Sequence, residues 1–266
     1  MFSLFKPFIF KIDPEMAHDL AIKSLKYNFL PAELFKVKNE EILETEIFKT
    51  KIKNPIGLAA GFDKSAEVYN SLFRFGFGFI EVGTVTPKKQ FGNPKPRIFR
   101  LENDRALINR LGFNNDGLEK ISKRLYKNSP NGFLGINIGP NKDSENRVDD
   151  YLKCLKEIYS FANYITVNIS SPNTPGLRDF HNESTLQNLL KNITEFAKKN
   201  KIYQIATDCV YDGSSKLYSE SSPHNPLDVY GKTKSLGEVQ SGNFFNIRVS
   251  IIGKEISKKI QNGVFK

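Results

Sequence analysis

The stretch richest in chemically useful side chains is Asn168–Arg178, which reads Asn-Ile-Ser-Ser-Pro-Asn-Thr-Pro-Gly-Leu-Arg. It follows the apolar, β-rich run Tyr164–Val167 and precedes a helix-like segment that begins near residue 183. A strand is thus predicted to end in a loop of hydroxyls, amides and one arginine, and α/β proteins build active sites at such strand ends. The alternative is an ordinary turn rich in proline, asparagine and serine. Three upstream strand ends of the same character favour the active-site interpretation.

The chain repeats the order strand, polar end, helix four times. The predicted strands are 55–60, 78–84, 132–139 and 164–168, and the predicted helices are about 64–76, about 116–127, one around 148–159 and one from about 183. The strands are apolar almost throughout, as expected of parallel strands that are covered on both faces. No Gly-x-Gly-x-x-Gly opens the first unit, which argues against a dinucleotide-binding fold there. The pattern predicts an α/β fold, the N-terminal part of a (β/α)8 TIM barrel with its polar strand ends at one rim.

The predicted rim is rich in amides and contains no cluster of metal-ligand type. Its residues are Gly61, Lys64, Gly83, Thr84, Asn109 to Asn115, Asn137, Asn168, Ser171 and Asn173. We therefore expect no metal site, and the absence of a histidine near Ser171 in sequence gives no support to a Ser-His-Asp hydrolase. Amides and one lysine suit a planar, polar, anionic molecule, with a cofactor supplying the difficult chemistry.

The charge and the cysteine content indicate which partners and which compartment to expect. The 266 residues carry a formal charge of +10, but lysines and acids alternate and no dense basic stripe occurs, so nucleic acid is not an expected partner. The two cysteines, Cys154 and Cys209, have no metal-ligand spacing, which suits a reducing cytoplasmic compartment. Cys154 is predicted to be a small core or boundary residue of a helix.

The N-terminal 40 residues are predicted to form a helical extension. Met1–Lys11 is rich in phenylalanine, and Asp13 followed by Pro14 is typical of an N-cap and first helical residue. The amphipathic helix that follows could lie on a membrane surface or pack on the domain, and the residues alone leave both open.

Five motifs in order resemble the class 2, quinone-dependent dihydroorotate dehydrogenases over residues 10 to 197. They are Ala59–Lys64, Gly83–Pro87, Asn109–Asn115, Gly135–Gly139 and Asn168–Arg178. The resemblance implies an FMN-containing TIM barrel that oxidises dihydroorotate to orotate in pyrimidine (UMP) biosynthesis and passes the electrons to membrane quinone. Serine rather than cysteine as the base is the class 2 version. The resemblance also implies a quinone platform in the N-terminal segment and peripheral association with the cytoplasmic face of the cell membrane. It leaves the oligomeric state open.

The resemblance also implies roles for individual residues. Ser171 would be the catalytic base that takes the C5 proton. The implied cofactor-binding residues are Ala60, Gly61, Lys64, Thr84, Asn137 and Asn168. The implied substrate-binding residues are Lys64, Asn109, Arg110, Leu111, Gly112, Phe113, Asn168 and Asn173.

Beyond residue 200 the sequence resembles a different family, the extended short-chain dehydrogenase/reductases of the dTDP-4-dehydrorhamnose reductase type, over residues 202 to 258. Its Tyr-x-x-x-Lys pair would be Tyr230 and Lys234, with Thr207 as the accompanying hydroxyl. The lysine would lower the pKa of the tyrosine, so that the phenol can exchange a proton with a carbonyl. The glycine loop that would hold NADPH is absent, as are the phosphate loops that the dihydroorotate dehydrogenase family carries in its last strands.

We therefore predict a chimeric chain, a fusion or a mis-joined reading frame. Its parts would be a membrane- and quinone-associated segment (1–40), a partial barrel with the FMN and orotate site (41–200) and a Rossmann-like reductase fragment (201–266). The first hypothesis for its function is an incomplete dihydroorotate dehydrogenase. The alternatives are an NADPH-dependent sugar-nucleotide reductase fragment and a non-catalytic flavin- or membrane-binding remnant.

Overall fold

The computed structural model of the chain describes residues 2–29, 40–104, 106–196, 202–207, 211–214, 222–227, 232, 235 and 244–249. They belong to two compact units, Met1–Asn192 and Ile193–Lys266. The helices are α1 (Phe2–Ile9), α2 (Pro14–Lys26), α3 (Tyr69–Phe73), α4 (Leu118–Lys127), α5 (Arg147–Ile158) and α6 (Glu183–Phe196). The strands are β1 (Thr45–Ile47), β2 (Thr50–Ile52), β3 (Gly57–Leu58), β4 (Phe79–Val85), β5 (Ile98–Leu101), β6 (Ala106–Asn109), β7 (Phe133–Ile138), β8 (Tyr164–Val167), β9 (Ile202–Thr207) and β10 (Phe244–Val249).

The first unit is built on a four-stranded sheet in the order β3-β4-β7-β8, with each neighbouring pair parallel. Each connection between successive strands of this sheet contains a helix, as parallel pairing requires. The predicted α/β fold, the N-terminal part of a TIM barrel, is therefore confirmed for this unit. Its carboxyl strand ends all lie at one edge.

The outward face of the sheet forms the hydrophobic core with α3, α4 and α5. Its fully buried side chains are Ile80, Val82, Leu134, Ile136 and Ile138 on the strands, and Ile121, Leu125, Tyr151 and Ile158 on the helices. Burial of each such side chain contributes roughly 1.5–3 kcal/mol. Cys154 of α5 is fully buried here, which confirms its predicted place in the core.

The opposite face carries polar and aromatic residues at alternate positions of the same strands, because side chains along a strand alternate between faces. Tyr164 of β8 lies over Gly135 of β7, where a Cβ atom would overlap the tyrosine ring. This face would line the interior of a barrel.

The segment after β3 differs from the prediction. A helix was expected over about 64–76, but α3 spans only Tyr69–Phe73. The Asp63 carboxylate accepts hydrogen bonds from the backbone N–H groups of Glu67 (2.7 Å) and Val68 (2.8 Å), and Ala66 has a φ of +50°. These features hold the segment in a tight turn, so the helix starts one turn later.

Two antiparallel hairpins, β1–β2 and β5–β6, were not predicted. The second lies inside the long excursion between β4 and α4. In the second unit, β9 and β10 form a parallel pair. Within the described ranges, no helix is both long and apolar enough to cross a bilayer.

Helix α2 begins as predicted and is joined to the β5 region by an ion pair. Asp13 Oδ1 accepts from the N–H groups of Glu15 and Met16, at 3.0 Å each. The Arg97 side chain is 6% exposed, and its guanidinium donates to both carboxylate oxygens of Glu15. The hydrogen bond from Arg97 lowers the pKa of the Glu15 carboxyl, although burial opposes this shift.

Glu15→Gln is expected to lower the free energy of unfolding by about 3 kcal/mol at pH 7, because a buried guanidinium loses its counter-charge. Since the folded-state pKa of Glu15 is depressed, this contribution is present above the usual glutamate range. It is lost as the pH falls below roughly 4 and through the folded-state pKa. Urea unfolding of both proteins at pH 7 and pH 3 measures the difference.

The matched control is Glu119→Gln, which removes a fully exposed i,i+4 partner of Lys123. Its unfolding midpoint should equal that of the wild type. An equally stable Glu15→Gln variant would contradict the proposed role of the ion pair.

Candidate active site

The polar ends of β4, β7 and β8 come together because the strands are adjacent and parallel. Asn137 pairs in register with Thr166 of β8, and the register between β4 and β7 shifts between Val82 and Val85. Gly83, inside this irregularity, has a φ of +110°, a conformation that favours glycine. Thr84 is therefore the next side chain at the end of β4.

Thr84, Asn137 and Asn168 form a hydrogen-bonded group, which we call the amide cluster. The Thr84 hydroxyl donates to Asn137 Oδ1 at 2.6 Å. Asn168 Nδ2 lies 3.2 Å from Asn137 Oδ1 and 3.4 Å from Thr84 Oγ1. Three residues predicted from separate strand ends thus lie in direct contact.

Below the amide cluster lies Glu81, which the sequence analysis did not identify. Its carboxylate accepts from Asn137 Nδ2 (2.8 Å), the Tyr164 hydroxyl (2.9 Å) and the Thr166 hydroxyl (3.0 Å). Burial and the neighbouring carboxylate raise the pKa of the Tyr164 phenol, which keeps its proton as a donor. The available signal was a single acid between the apolar residues Ile80 and Val82.

The loop after β3 brings Ala60, Gly61 and Lys64 to the same edge. Gly61 N–H donates to Gly83 O at 2.9 Å, and Gly83 N–H donates to Asp63 O at 3.0 Å. Gly61 has a φ of +105°, and, its chain neighbours aside, no atom of the described residues lies within 4 Å of the position that a Cβ would occupy. The backbone at Gly61 therefore faces open space into which a ligand can approach closely.

Lys64 is a half-buried cation next to this open space. Burial lowers the pKa of the Lys64 ammonium group, and the nearby charges of Glu15 and Asp19 partly oppose the shift. Among the described residues, no hydrogen bond or ion pair engages its Nζ atom. An anionic ligand would supply the missing partner.

Helix α2 reaches this loop through His18. Its Nε2 atom lies 2.7 Å from Phe62 O, and burial, assisted by the charge of Lys64, lowers the pKa of the imidazole. His18 therefore contacts the backbone beside the predicted site.

The loop after β8 and the end of the β5–β6 hairpin meet beside the amide cluster. Asn173 Nδ2 lies 3.5 Å from Asn109 Oδ1, and Asn93 Nδ2 donates to both Asn173 O (3.2 Å) and Arg110 O (2.9 Å). Ser171 Oγ accepts from the N–H of Asn173 at 3.3 Å. The structure thus brings the predicted base and two predicted substrate residues into one region.

The other residues of the 109–113 stretch are placed differently. Phe113 and Thr84 both lie beside Gly139, within 3.4 Å of the position that a Cβ atom would occupy there. The Arg110 guanidinium instead donates to Pro96 O at 2.9 Å and is directed along the hairpin.

The two residues between Arg110 and Phe113 take part through their backbone. Leu111 O accepts from Asn93 N–H at 2.9 Å, and Gly112 is buried with a φ of +75°.

The donor set contains amides, hydroxyls and one ammonium group. The described residues hold no group of three or more His, Cys, Asp or Glu side chains placed to bind a metal ion. Asn114 Oδ1 is buried and accepts no hydrogen bond from the described residues. This arrangement can bind a planar ligand through several hydrogen bonds and one charge.

Tyr230 and Lys234, predicted as a reductase pair, lie outside the described residues, as does the side chain of Thr207. The parallel pair of β9 and β10 is common to Rossmann folds and barrels, so it does not distinguish between them. The predicted reductase role therefore stays a prediction.

Comparison with known proteins identifies a family and several relatives that match most of the chain. The family described as dihydroorotate dehydrogenase matches residues 42–229. The dihydroorotate dehydrogenase (quinone) of Idiomarina loihiensis is 49% identical over 196 residues, which cover 73% of this chain and 59% of that protein. The protein of the same name from Rhizobium etli is 46% identical over 229 residues, which cover 83% of this chain and 62% of that protein.

Solved structures agree with the sequence relatives. The crystal structure of the dihydroorotate dehydrogenase of Eimeria tenella in complex with ferulenol has a TM-score of 0.66 and 42% identity. The match covers 70% of this chain and 52% of that one. The ligand-free form from the same organism gives the same TM-score over 71% of this chain.

Two facts delimit these similarities. The chain spans about 59–62% of the length of the first two curated relatives. The family match continues to residue 229, although the sequence resemblance was expected to stop near residue 197. That boundary is corrected, and these comparisons give no support to a reductase segment or a chimeric junction. The chain belongs to the dihydroorotate dehydrogenase family.

Proposed function

We propose that the chain carries the FMN and orotate site of a quinone-dependent dihydroorotate dehydrogenase, an oxidoreductase of pyrimidine biosynthesis. The observation that carries the proposal is that three features meet at one edge of a parallel sheet. They are the amide cluster, the loop after β3 that carries Lys64 (the Lys64 loop) and the loop after β8 that carries Ser171 (the Ser171 loop). Family membership and relatives named for this activity support it.

The residues present fit a flavin. Gly61 leaves open space where a side chain would stand, and the amide cluster offers donors and acceptors next to it. The proposed FMN-binding residues are Ala60, Gly61, Lys64, Thr84, Asn137 and Asn168. When bound, FMN would supply the hydride acceptor for the oxidation of dihydroorotate.

Lys64, whose ammonium group is half-buried, is proposed to pair with the substrate carboxylate. The proposed substrate-binding residues are Lys64, Asn109, Arg110, Leu111, Gly112, Phe113, Asn168 and Asn173. For Arg110 the backbone is the proposed contact, because its guanidinium is engaged by Pro96 O. Amides from two loops would thus orient the pyrimidine ring.

Ser171 is proposed as the base that takes the proton from C5. Its Oγ atom already accepts the N–H of Asn173, and this donor would stabilise negative charge that develops on the oxygen. A serine is a weak base, so the loop must exclude water and allow the proton to leave by a further group.

Helices α1 and α2 are proposed as the quinone-binding platform, in peripheral contact with the cytoplasmic face of the cell membrane. They expose large apolar side chains, among them Phe8 (70% exposed) and Leu20 (49% exposed). An open cavity of about 380 Å³ is lined by Leu20, Lys23, Ser24, Tyr27 and Phe29. Apolar groups beside a lysine suit a quinone at an anionic lipid surface.

The assignment of 1–40 as the quinone segment, 41–200 as the catalytic part and 201–266 as a separate reductase-like fragment remains a proposal about domain organisation. NADPH binding by Tyr230 and Lys234 is the alternative for the last segment. It would appear as NADPH binding that orotate does not affect.

The visible spectrum of the purified protein, supplied with FMN, tests the proposed function. We expect a bound flavin band that dihydroorotate bleaches in the absence of oxygen and that a soluble quinone then restores. A protein that retains no flavin, or whose bound flavin is not bleached by dihydroorotate, would refute the proposal.

A further inference from the structure

Glu81 lies on the interior face of β4, directly below the amide cluster. Its chain neighbours Ile80 and Val82 are fully buried on the opposite face of the sheet. Among the described residues, no lysine or arginine forms an ion pair with it. Its carboxylate is held instead by three neutral donors, from Asn137, Tyr164 and Thr166.

The Glu81 carboxylate determines which way the Asn137 amide faces. A carboxylate can only accept hydrogen bonds, so Asn137 must direct Nδ2 toward it, as the 2.8 Å contact shows. Asn137 Oδ1 then faces upward and accepts from the Thr84 hydroxyl at 2.6 Å and from Asn168 Nδ2 at 3.2 Å. The reversed amide would place oxygen against carboxylate and lose these bonds.

The orientation of the Asn137 amide also determines that of Asn168, which contacts the loop of Ser171. Because Asn168 uses Nδ2 toward Asn137, its Oδ1 is left to accept the N–H of Ser170 at 3.3 Å. Ser170 immediately precedes Ser171 in the chain. The orientation of two site amides therefore depends on one acid that does not itself reach the rim.

We propose that Glu81 is a positioning residue that fixes the amide orientation of Asn137, and through it that of Asn168, before FMN binds. The part of this inference that concerns FMN rests on the proposed function. The orientation of the amides in the free protein does not.

Glu81→Leu and Glu81→Gln separate positioning from bulk. Glutamine keeps an acceptor for Asn137 Nδ2 and can direct its own NH₂ toward the hydroxyls of Tyr164 and Thr166, whereas leucine offers no acceptor. We expect Glu81→Leu to weaken FMN binding, followed by flavin fluorescence, by about tenfold or more. Glu81→Gln should stay within about threefold of the wild type, the size of a small loss in one hydrogen bond.

Two controls exclude a merely structural role. Thr166→Val removes the threonine donor to Glu81 but keeps the hydrogen bond between Glu81 and Asn137. This variant should bind FMN within about threefold of the wild type. In the double variant Glu81→Leu/Asn137→Ala, FMN should bind no more weakly than in Asn137→Ala alone, because Glu81 acts through Asn137. Additive losses, or a Glu81→Leu protein with wild-type affinity, would overturn the proposal.

The hydrogen bond that sets this orientation is tested without FMN. In the ¹⁵N-Asn-labelled apo protein, the Asn137 side-chain amide signal is identified by its absence from the Asn137→Ala variant. The proton that Asn137 Nδ2 donates to Glu81 should exchange slowly with water in the wild type and in Glu81→Gln, and rapidly in Glu81→Leu. Slow exchange in Glu81→Leu would overturn the proposal. A protein with the expected exchange pattern that binds no FMN would refute the proposed function alone.

Discussion

Ser171→Ala is expected to slow the bleaching of bound FMN by dihydroorotate by about 10²- to 10⁴-fold, the usual contribution of a general base. The variant removes the oxygen that would take the C5 proton. It leaves Lys64 and the amide cluster in place, so FMN and orotate should bind almost as they do to the wild type. Anaerobic stopped-flow spectroscopy measures the rate, and titration of the flavin spectrum with orotate measures the binding.

Ser170→Ala is the matched control for this experiment. Ser170 contacts its neighbours through its backbone: its N–H donates to Asn168 Oδ1, and its carbonyl oxygen accepts from Arg178 Nε. Alanine keeps both hydrogen bonds. Its bleaching rate should remain close to that of the wild type. Equal loss in both variants would mean that the loop requires its hydroxyls for folding. Unchanged bleaching in Ser171→Ala would assign the base to another group.

The arrangement of the rim could be predicted from the sequence because it depends on local patterns. Apolar runs that end in Thr84, Asn137 and Asn168 predict strands, and helices between them predict parallel pairing. Parallel strands place their carboxyl ends together, so the contact among these three residues follows from topology.

The parts that were missed depend on contacts between residues distant in sequence. Glu81 is a lone acid in an apolar strand, and its function is visible only once Asn137, 56 residues later, lies beside it. The Glu15–Arg97 pair joins residues 82 positions apart. No periodicity reports such pairs, because periodicity describes one element at a time.

The segment after residue 200 illustrates another limit. A short apolar strand followed by a hydroxyl occurs in both barrels and Rossmann folds, and β9 pairs in parallel as either fold would require. The Tyr230 and Lys234 spacing is a single helical turn, which unrelated sequences also contain. The family match continues through residue 229 and so extends the first family across part of this segment.

Lys64→Met is expected to weaken orotate binding strongly while making the free protein more stable. A half-buried ammonium group without a described ion-pair partner costs stability, and burial lowers its pKa for the same reason. Methionine keeps the volume and removes the charge, so the free energy of unfolding should rise by about 1 kcal/mol. Orotate affinity should fall by about 100-fold or more, as expected when a charged hydrogen-bond partner is lost.

The pH dependence distinguishes this explanation from simple packing. Because the folded-state pKa of Lys64 is lower than the unfolded one, the folded protein binds this proton less tightly, and stability rises with pH between the two values. The advantage of Lys64→Met should therefore be complete below the folded-state pKa. It should disappear as the pH approaches the usual lysine value of about 10.4.

Lys120→Met, at an exposed position of α4, is the control and should neither stabilise the protein nor weaken orotate binding. Urea unfolding across this pH range, with and without orotate, gives both quantities. A Lys64→Met protein less stable than the wild type would show that Lys64 supports the fold. Loss of orotate binding together with a gain in stability would show that the rim keeps an unfavourable buried charge because the anionic substrate requires it.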